Sequence, residues 1–210
     1  MPTLNDFLLF SAAALVLVLT PGPNMVYCVS RSLCQGRSAG LVSLIGVLAG
    51  FVFHLLAAAF GLTALLMAVP MAFEVIRAAG AAYLLWMAWQ AVRPGGTNPF
   101  VARALPPESP ATLVRMGFLT NVLNPKVAVF YLSFFPQFLH PERGDVLQQS
   151  LALGLVQITI SGTVNALLVL GAASIGGFLN GRPSWLRVQR WLMGGVLAAL
   201  ALRLLWTDRR

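Results

Sequence analysis

Residues 117–131, Gly117-Phe118-Leu119-Thr120-Asn121-Val122-Leu123-Asn124-Pro125-Lys126-Val127-Ala128-Val129-Phe130-Tyr131, belong to an apolar stretch that runs on to Leu139 and cannot be one regular helix. Proline has no N–H and its ring clashes with the preceding turn, so a helix breaks at 125 and leaves polar backbone groups free. In lipid, such backbone persists only where protein or a water-lined cavity covers it. Lys126 adds a charge at the same depth, at roughly 2.5 to 3.5 kcal/mol on insertion scales. The two features together point to a binding site. The same device recurs near the start, where Thr20-Pro21-Gly22-Pro23-Asn24 separates the apolar residues 7–19 from 25–29.

The surrounding composition explains why these breaks matter. The 210 residues are 58% hydrophobic and 10% charged, with a mean hydropathy of +0.81, which is outside the range of soluble domains. Uncharged runs cover 7–30, 38–73, 78–92, 127–141 and 146–181, several of them longer than the ~20 residues that cross a bilayer. The chain therefore reads as a polytopic membrane protein. Its net charge of +8 comes from arginines dispersed between apolar segments, without the basic, aromatic-interleaved face of a nucleic-acid binder. Nucleic acid is not an expected partner; the lipid bilayer is.

A secretory signal needs a positive n-region, yet the charge ahead of the first apolar run is Asp6, so the first helix is expected to be retained. Cys28 and Cys34 lie six apart with no further cysteine. That spacing indicates neither a disulfide framework nor a metal site, and no cofactor is expected.

Taken in order, the expected helices cover about 5–30 (interrupted at 21–23), 39–69, 74–92, 112–139 (broken at 124–126), 147–179 and 185–206. The fold class is thus all-α integral membrane, with six transmembrane helices in two inverted three-helix repeats. The first repeat is 1–92, a Pro/Gly-rich linker is 93–111, and the second repeat is 112–210. Three helices per half force the second half to enter the membrane upside down. Arg31, Arg37, Arg93, Arg103, Arg115, Arg182, Arg187 and Arg190 fall on one side, against Arg77, Arg143, Arg203, Arg209 and Arg210 on the other. The positive-inside bias places the richer side, with the linker, in the cytoplasm and both termini outside.

Pro21 and Tyr27 are six apart in the first helix, as are Pro125 and Tyr131 in the fourth. Broken helices in corresponding places of two halves are the sequence pointer to an inverted-repeat transporter with a site near the midplane. Unpaired N–H groups after Pro21-Gly22-Pro23-Asn24 and after Asn124-Pro125-Lys126 suit a small anionic group. Asn24, Asn124 and freed carbonyls near 19–21 suit an amine, and Asn121 is a further substrate-binding candidate. The inventory fits an amino acid, and no Asp or Glu well inside a helix would pair with a strongly cationic one. Each feature also has a plainer explanation: a proline kink without ligand, a lysine that snorkels to the interface, a glycine-face His54 that bonds a neighbouring helix. Gln157, Ser161 and Asn165 share a face that would serve as inter-helix glue or line a pore. His54 is the mid-helix candidate for proton coupling, with Tyr27 and Tyr131 as pore-lining candidates.

The motifs Leu19-Thr20-Pro21-Gly22-Pro23-Asn24 and Asn121-Val122-Leu123-Asn124-Pro125-Lys126, continuing to Phe134-Phe135-Pro136-Gln137-Phe138, resemble the LysE/RhtB family of amino-acid exporters. The likeness extends through 46–54 and 72–86, and the second motif is most similar to exporters of homoserine, homoserine lactone and threonine. The resemblance implies an inner-membrane protein of six helices that exports amino acids or small derivatives using the proton gradient. It also implies a central site at the two proline motifs. Some members of that family carry an acidic residue in helix two or five, where this chain offers Phe51 and Asn165; that departure argues against lysine or arginine as cargo.

Three other readings compete. A membrane-embedded thiol-disulfide relay needs a cysteine in each half, and Cys28 and Cys34 share one. An intramembrane enzyme needs a nucleophile with a base, paired aspartates or a metal-binding helix motif, and the chain has none of these signatures, so it is not expected to be an enzyme. A channel for small solutes stays open, as do monomer and homodimer.

Overall fold

The computed structural model describes residues 1–62, 70–93, 105–180 and 183–206, and every regular element among them is helical. Helix α1, Leu4–Leu19, starts with a reciprocal cap in which Thr3 accepts from the Asp6 N–H and Asp6 accepts from the Thr3 N–H. It stops because Pro21 and Pro23 cannot continue the ladder. Helix α2, Pro23–Gln35, begins with proline in its first turn, where the missing N–H costs no ladder bond, and leaves α1 at a bend of 53°. Gly36, at φ 92°, turns the chain into α3, Arg37–Leu56. A π-helical turn, Ala57–Leu62, extends α3, giving one apolar span over Arg37–Gly61.

Helix α4 is Pro70–Val92. It begins at Pro70, ahead of the expected start at 74, again a position that tolerates proline. The extended residues 105–109 lead into α5, Pro110–Val122, capped by Ser109; α5 therefore starts inside the stretch read as linker. After Leu123 and Asn124 comes α6, Pro125–Val129, which runs on as a π-turn, Phe130–Phe134, and a 3₁₀ turn, Phe135–Phe138. This composite helix is bent by 48° from α5. A short turn, Pro141–Arg143, precedes α7, Val146–Asn180, and α8 is Pro183–Trp206. The end expected for helix two, 63–69, most of the linker, 94–104, and the residues Arg182, Arg209 and Arg210 lie outside the described residues.

Two continuous helical stretches, Arg37–Gly61 and Val146–Ile175, are long and apolar enough to cross a membrane, and each bent pair adds one more if it is counted as a single span. Exposed Ile45, Phe53, Leu155 and Leu167 on these helices suit a lipid-facing surface. Close approach of α3 and α5 rests on glycine: a Cβ on Gly46 would strike the Val114 backbone, and one on Gly117 would strike the Ser43 carbonyl. Phe10 of α1 packs against Phe130, Phe135 and Phe138 at centroid distances of 5.3 to 5.7 Å, which holds α1 on the composite helix. A second cluster, with Leu84, Ala88, Leu197 and Leu204, joins α4 to α8. Gly194 there abuts the Ala88 carbonyl, whereas Gly195 has open space beside it.

Candidate functional site

Each proline break has a specific local consequence. In a helix the carbonyl of residue i bonds the N–H of i+4, so Pro21 strands the Leu17 carbonyl, while Pro125 removes the i+4 donor of Asn121 O, which accepts instead from the Asn124 N–H at 2.9 Å. Both carbonyls are buried and both are met by a distant side chain. Lys126 Nζ donates to Leu17 O at 3.0 Å and to Thr20 O at 2.7 Å. His54 Nε2 lies 3.2 Å from Asn121 O; a carbonyl oxygen only accepts, so Nε2 is the nitrogen that carries the hydrogen. The lysine next to the second break thus closes the first, and its charge stands at the C-terminal end of α1, where the helix dipole favours a cation.

Gly22 is the residue that allows this. A Cβ built on it would stand 2.9 Å from Lys126 Nζ and 3.1 Å from Cε. Its φ of −166° is ordinary extended backbone, so glycine is needed here for clearance and not for conformation. On the other side of the break Asn124 caps α6, its Oδ1 accepting from the Lys126 N–H at 3.0 Å. That cap consumes part of the N–H array expected to serve a ligand.

Lys126 also lines a cavity of about 20 Å³ with Asn24, Ser161 and Asn165 as its polar wall and Leu17, Val18, Met25, Phe51 and Val127 as its apolar wall. A volume of that order holds about one water. Asn24 Oδ1 is buried there with no hydrogen-bond partner. Asn165 Nδ2 donates to the Ser161 carbonyl at 2.8 Å. No carboxylate lines the cavity.

The remaining expected residues form a second cluster behind this wall. His54 stacks on the Tyr131 ring, with centroids 5.7 Å apart and planes at 13°. Tyr131 donates to Gln157 Oε1 at 2.7 Å, and Gln157 Nε2 donates to Ser161 Oγ at 2.9 Å. Ser161 therefore connects the two clusters. Asn121 is fully buried against Gly50, and neither atom of its side-chain amide has a partner. Tyr27 sits apart from both, donating to Leu113 O at 2.7 Å. Cys28 and Cys34 both lie on α2 and form no disulfide; six residues of helix separate their Cα atoms by about 9 Å, beyond disulfide reach. Met25, Val18 and Val127 are cavity residues the sequence did not single out for the site. The i−4 carbonyl of each proline was a usable signal for Leu17 and Asn121.

The family described as LysE type translocator matches residues 15–208 of the chain. A leucine efflux protein of Enterobacter sp. is 27% identical over 203 residues, covering 95% of this chain and 94% of the relative. A homoserine/homoserine lactone efflux protein of Salmonella typhimurium is 30% identical over 166 residues, 79% of this chain and 80% of the relative. An uncharacterized membrane protein of Vibrio cholerae is 34% identical over 178 residues, 84% and 85% of the two chains. No solved structure matches.

Proposed function

The chain belongs to the LysE-type translocator family, a family of transporters and not of enzymes, and from that premise we propose that it exports neutral amino acids or small amino-acid derivatives across the bacterial inner membrane, driven by protons, by alternating access. The observation that carries the reading is Lys126. Its ammonium stands where the two broken helices meet and lines a cavity whose other walls are neutral or apolar. An ammonium suits a carboxylate; Asn24 Oδ1 suits an α-amine; Val18, Met25, Phe51 and Val127 suit an aliphatic side chain. With no carboxylate in the wall, a second cationic group on the cargo would be desolvated without compensation.

The finer topology belongs to the same proposal: six membrane helices in two inverted repeats, 1–92 and 112–210, joined by a cytoplasmic linker. Bends of 53° and 48° in the first helix of each half support it, as does the parallel use of Leu17 and Asn121, each a carbonyl that loses its i+4 donor to a proline and is met by a distant side chain. The about 20 Å³ cavity is far below the volume of an amino acid. Transport therefore requires the two bent pairs to separate at their breaks, which is the movement alternating access asks for. His54, in contact with the second break, is the proposed proton-coupling group.

The test is uptake into inside-out vesicles of labelled leucine, homoserine, threonine and lysine, with and without an imposed proton gradient. Gradient-dependent movement of a neutral amino acid, with lysine excluded, is the expected result. Correctly oriented protein that moves lysine as well as leucine would overturn the substrate assignment, and movement indifferent to the gradient would overturn the coupling.

A further inference from the structure

Arg31 is a second buried cation, and its guanidinium is only half used. It is 4% exposed on α2, and among the described residues no ion pair reaches it. Nη1 donates to Pro106 O at 2.9 Å. Nη2 has only the Met116 thioether, at 3.7 Å, a weak acceptor. Nε has no partner.

Those two poorly served nitrogens are neighbours. In the planar guanidinium, Nε–H and one N–H of Nη2 point from the same edge, and that edge forms the parallel two-bond fork to a carboxylate. A strap function would be met by Nη1 alone. Leaving Nε buried and unpaired is unfavourable, a feature that calls for a reason. The neighbourhood holds the fork in place: the Tyr27 ring centroid lies 6.0 Å from Cζ, and Gln35 clamps the incoming segment through both the N–H and the carbonyl of Glu108, at 3.0 and 2.7 Å.

Position gives the edge its use. Asn24, Cys28 and Arg31 follow an i, i+4, i+7 spacing, so they share one face of α2, and Arg31 lies about 10 Å along the helix from Asn24. Asn24 lines the Lys126 cavity, and α2 leads from the break toward Arg37. We propose that the Nε–Nη2 edge of Arg31 is a carboxylate subsite that cargo occupies on the linker side of α2 before it reaches Lys126. This rests on the transporter reading above. The residues 105–109, held by Arg31 and Gln35, then cover the entry, and an arriving carboxylate takes the edge that the strap leaves free.

The experiment compares wild type with Arg31→Lys, which keeps the charge but loses the fork, and with Arg31→Gln. In inside-out vesicles, leucine and homoserine presented to the cytoplasmic face are expected to show a KM raised at least about tenfold in Arg31→Lys, equal to about 1.4 kcal/mol, with Vmax within about twofold. An unchanged KM in a folded variant overturns the subsite. A fall in Vmax and Tm without a KM change assigns Arg31 to the strap alone and overturns it too, as does loss of folded protein in both variants. Should wild type transport nothing, the proposed function fails, and purified protein still decides Arg31. Acetate is expected to raise the Tm of wild type more than that of either variant, and acetamide to do nothing. Equal shifts refute the fork, and a shift with inorganic phosphate but not acetate makes it a headgroup site instead of a cargo site.

Discussion

Gly22→Ala isolates the contact on which the proposed site depends. The added Cβ would lie 2.9 Å from Lys126 Nζ and 3.1 Å from Cε, against an ordinary van der Waals separation of about 3.5 Å or more. The ammonium must therefore retreat by about half an ångström or more. Because it is the tip of a flexible side chain, it can do so without moving backbone, and the extended φ of −166° accepts alanine without strain. What is lost is the pair of bonds to Leu17 O and Thr20 O, now 3.0 and 2.7 Å. A hydrogen bond to a charged group contributes about 1.5–3 kcal/mol, so weakening one of the two lowers transport efficiency by about ten- to a hundredfold. The assay is kcat/KM for leucine or homoserine in proteoliposomes, with Tm as a measure of folding. Gly195→Ala, where the added methyl meets nothing within 4 Å, is the control expected to match wild type. Wild-type kcat/KM in a folded Gly22→Ala protein would refute the link between the breaks.

Other perturbations give separable outcomes. Lys126→Met leaves Leu17 O and Thr20 O without their donor and removes the cation, so leucine uptake is expected to vanish while membrane insertion, followed by surface-accessible labelling, continues. Tyr131→Phe deletes the donor to Gln157 Oε1 in a fully buried setting; stability is expected to fall by about 1–3 kcal/mol, read as a lower Tm in detergent, with transport altered less than by any change at Lys126. His54→Gln can keep a donor to Asn121 O but cannot titrate, so folded protein with a flattened pH profile of uptake is expected. An unchanged profile would remove His54 from proton coupling.

Much of this protein is written locally. Proline removes the donor to the carbonyl four residues back, so both helix breaks, and the carbonyls that lose their helical partner there, follow from Pro21 and Pro125 alone. The long apolar runs likewise declare a membrane protein, because hydropathy is a sum over neighbours along the chain. Helix ends were legible to within a few residues where a cap or a proline marks them, as at Pro110 and Pro183. They were less so where helices tighten or widen without a sequence signal, as in the π-turns Ala57–Leu62 and Phe130–Phe134. What only the tertiary structure decided is which side chain answers which break. Lys126 reaches carbonyls more than a hundred positions away, Gly22 is small for the sake of that lysine, and Arg31 is buried with Nε unpaired while Nη1 holds the Pro106 carbonyl. Proline and hydropathy act through bonds and nearest neighbours, so their effects can be read along the chain. The pairing of a buried cation with a freed carbonyl depends on how helices pack, and that depends on all of them at once.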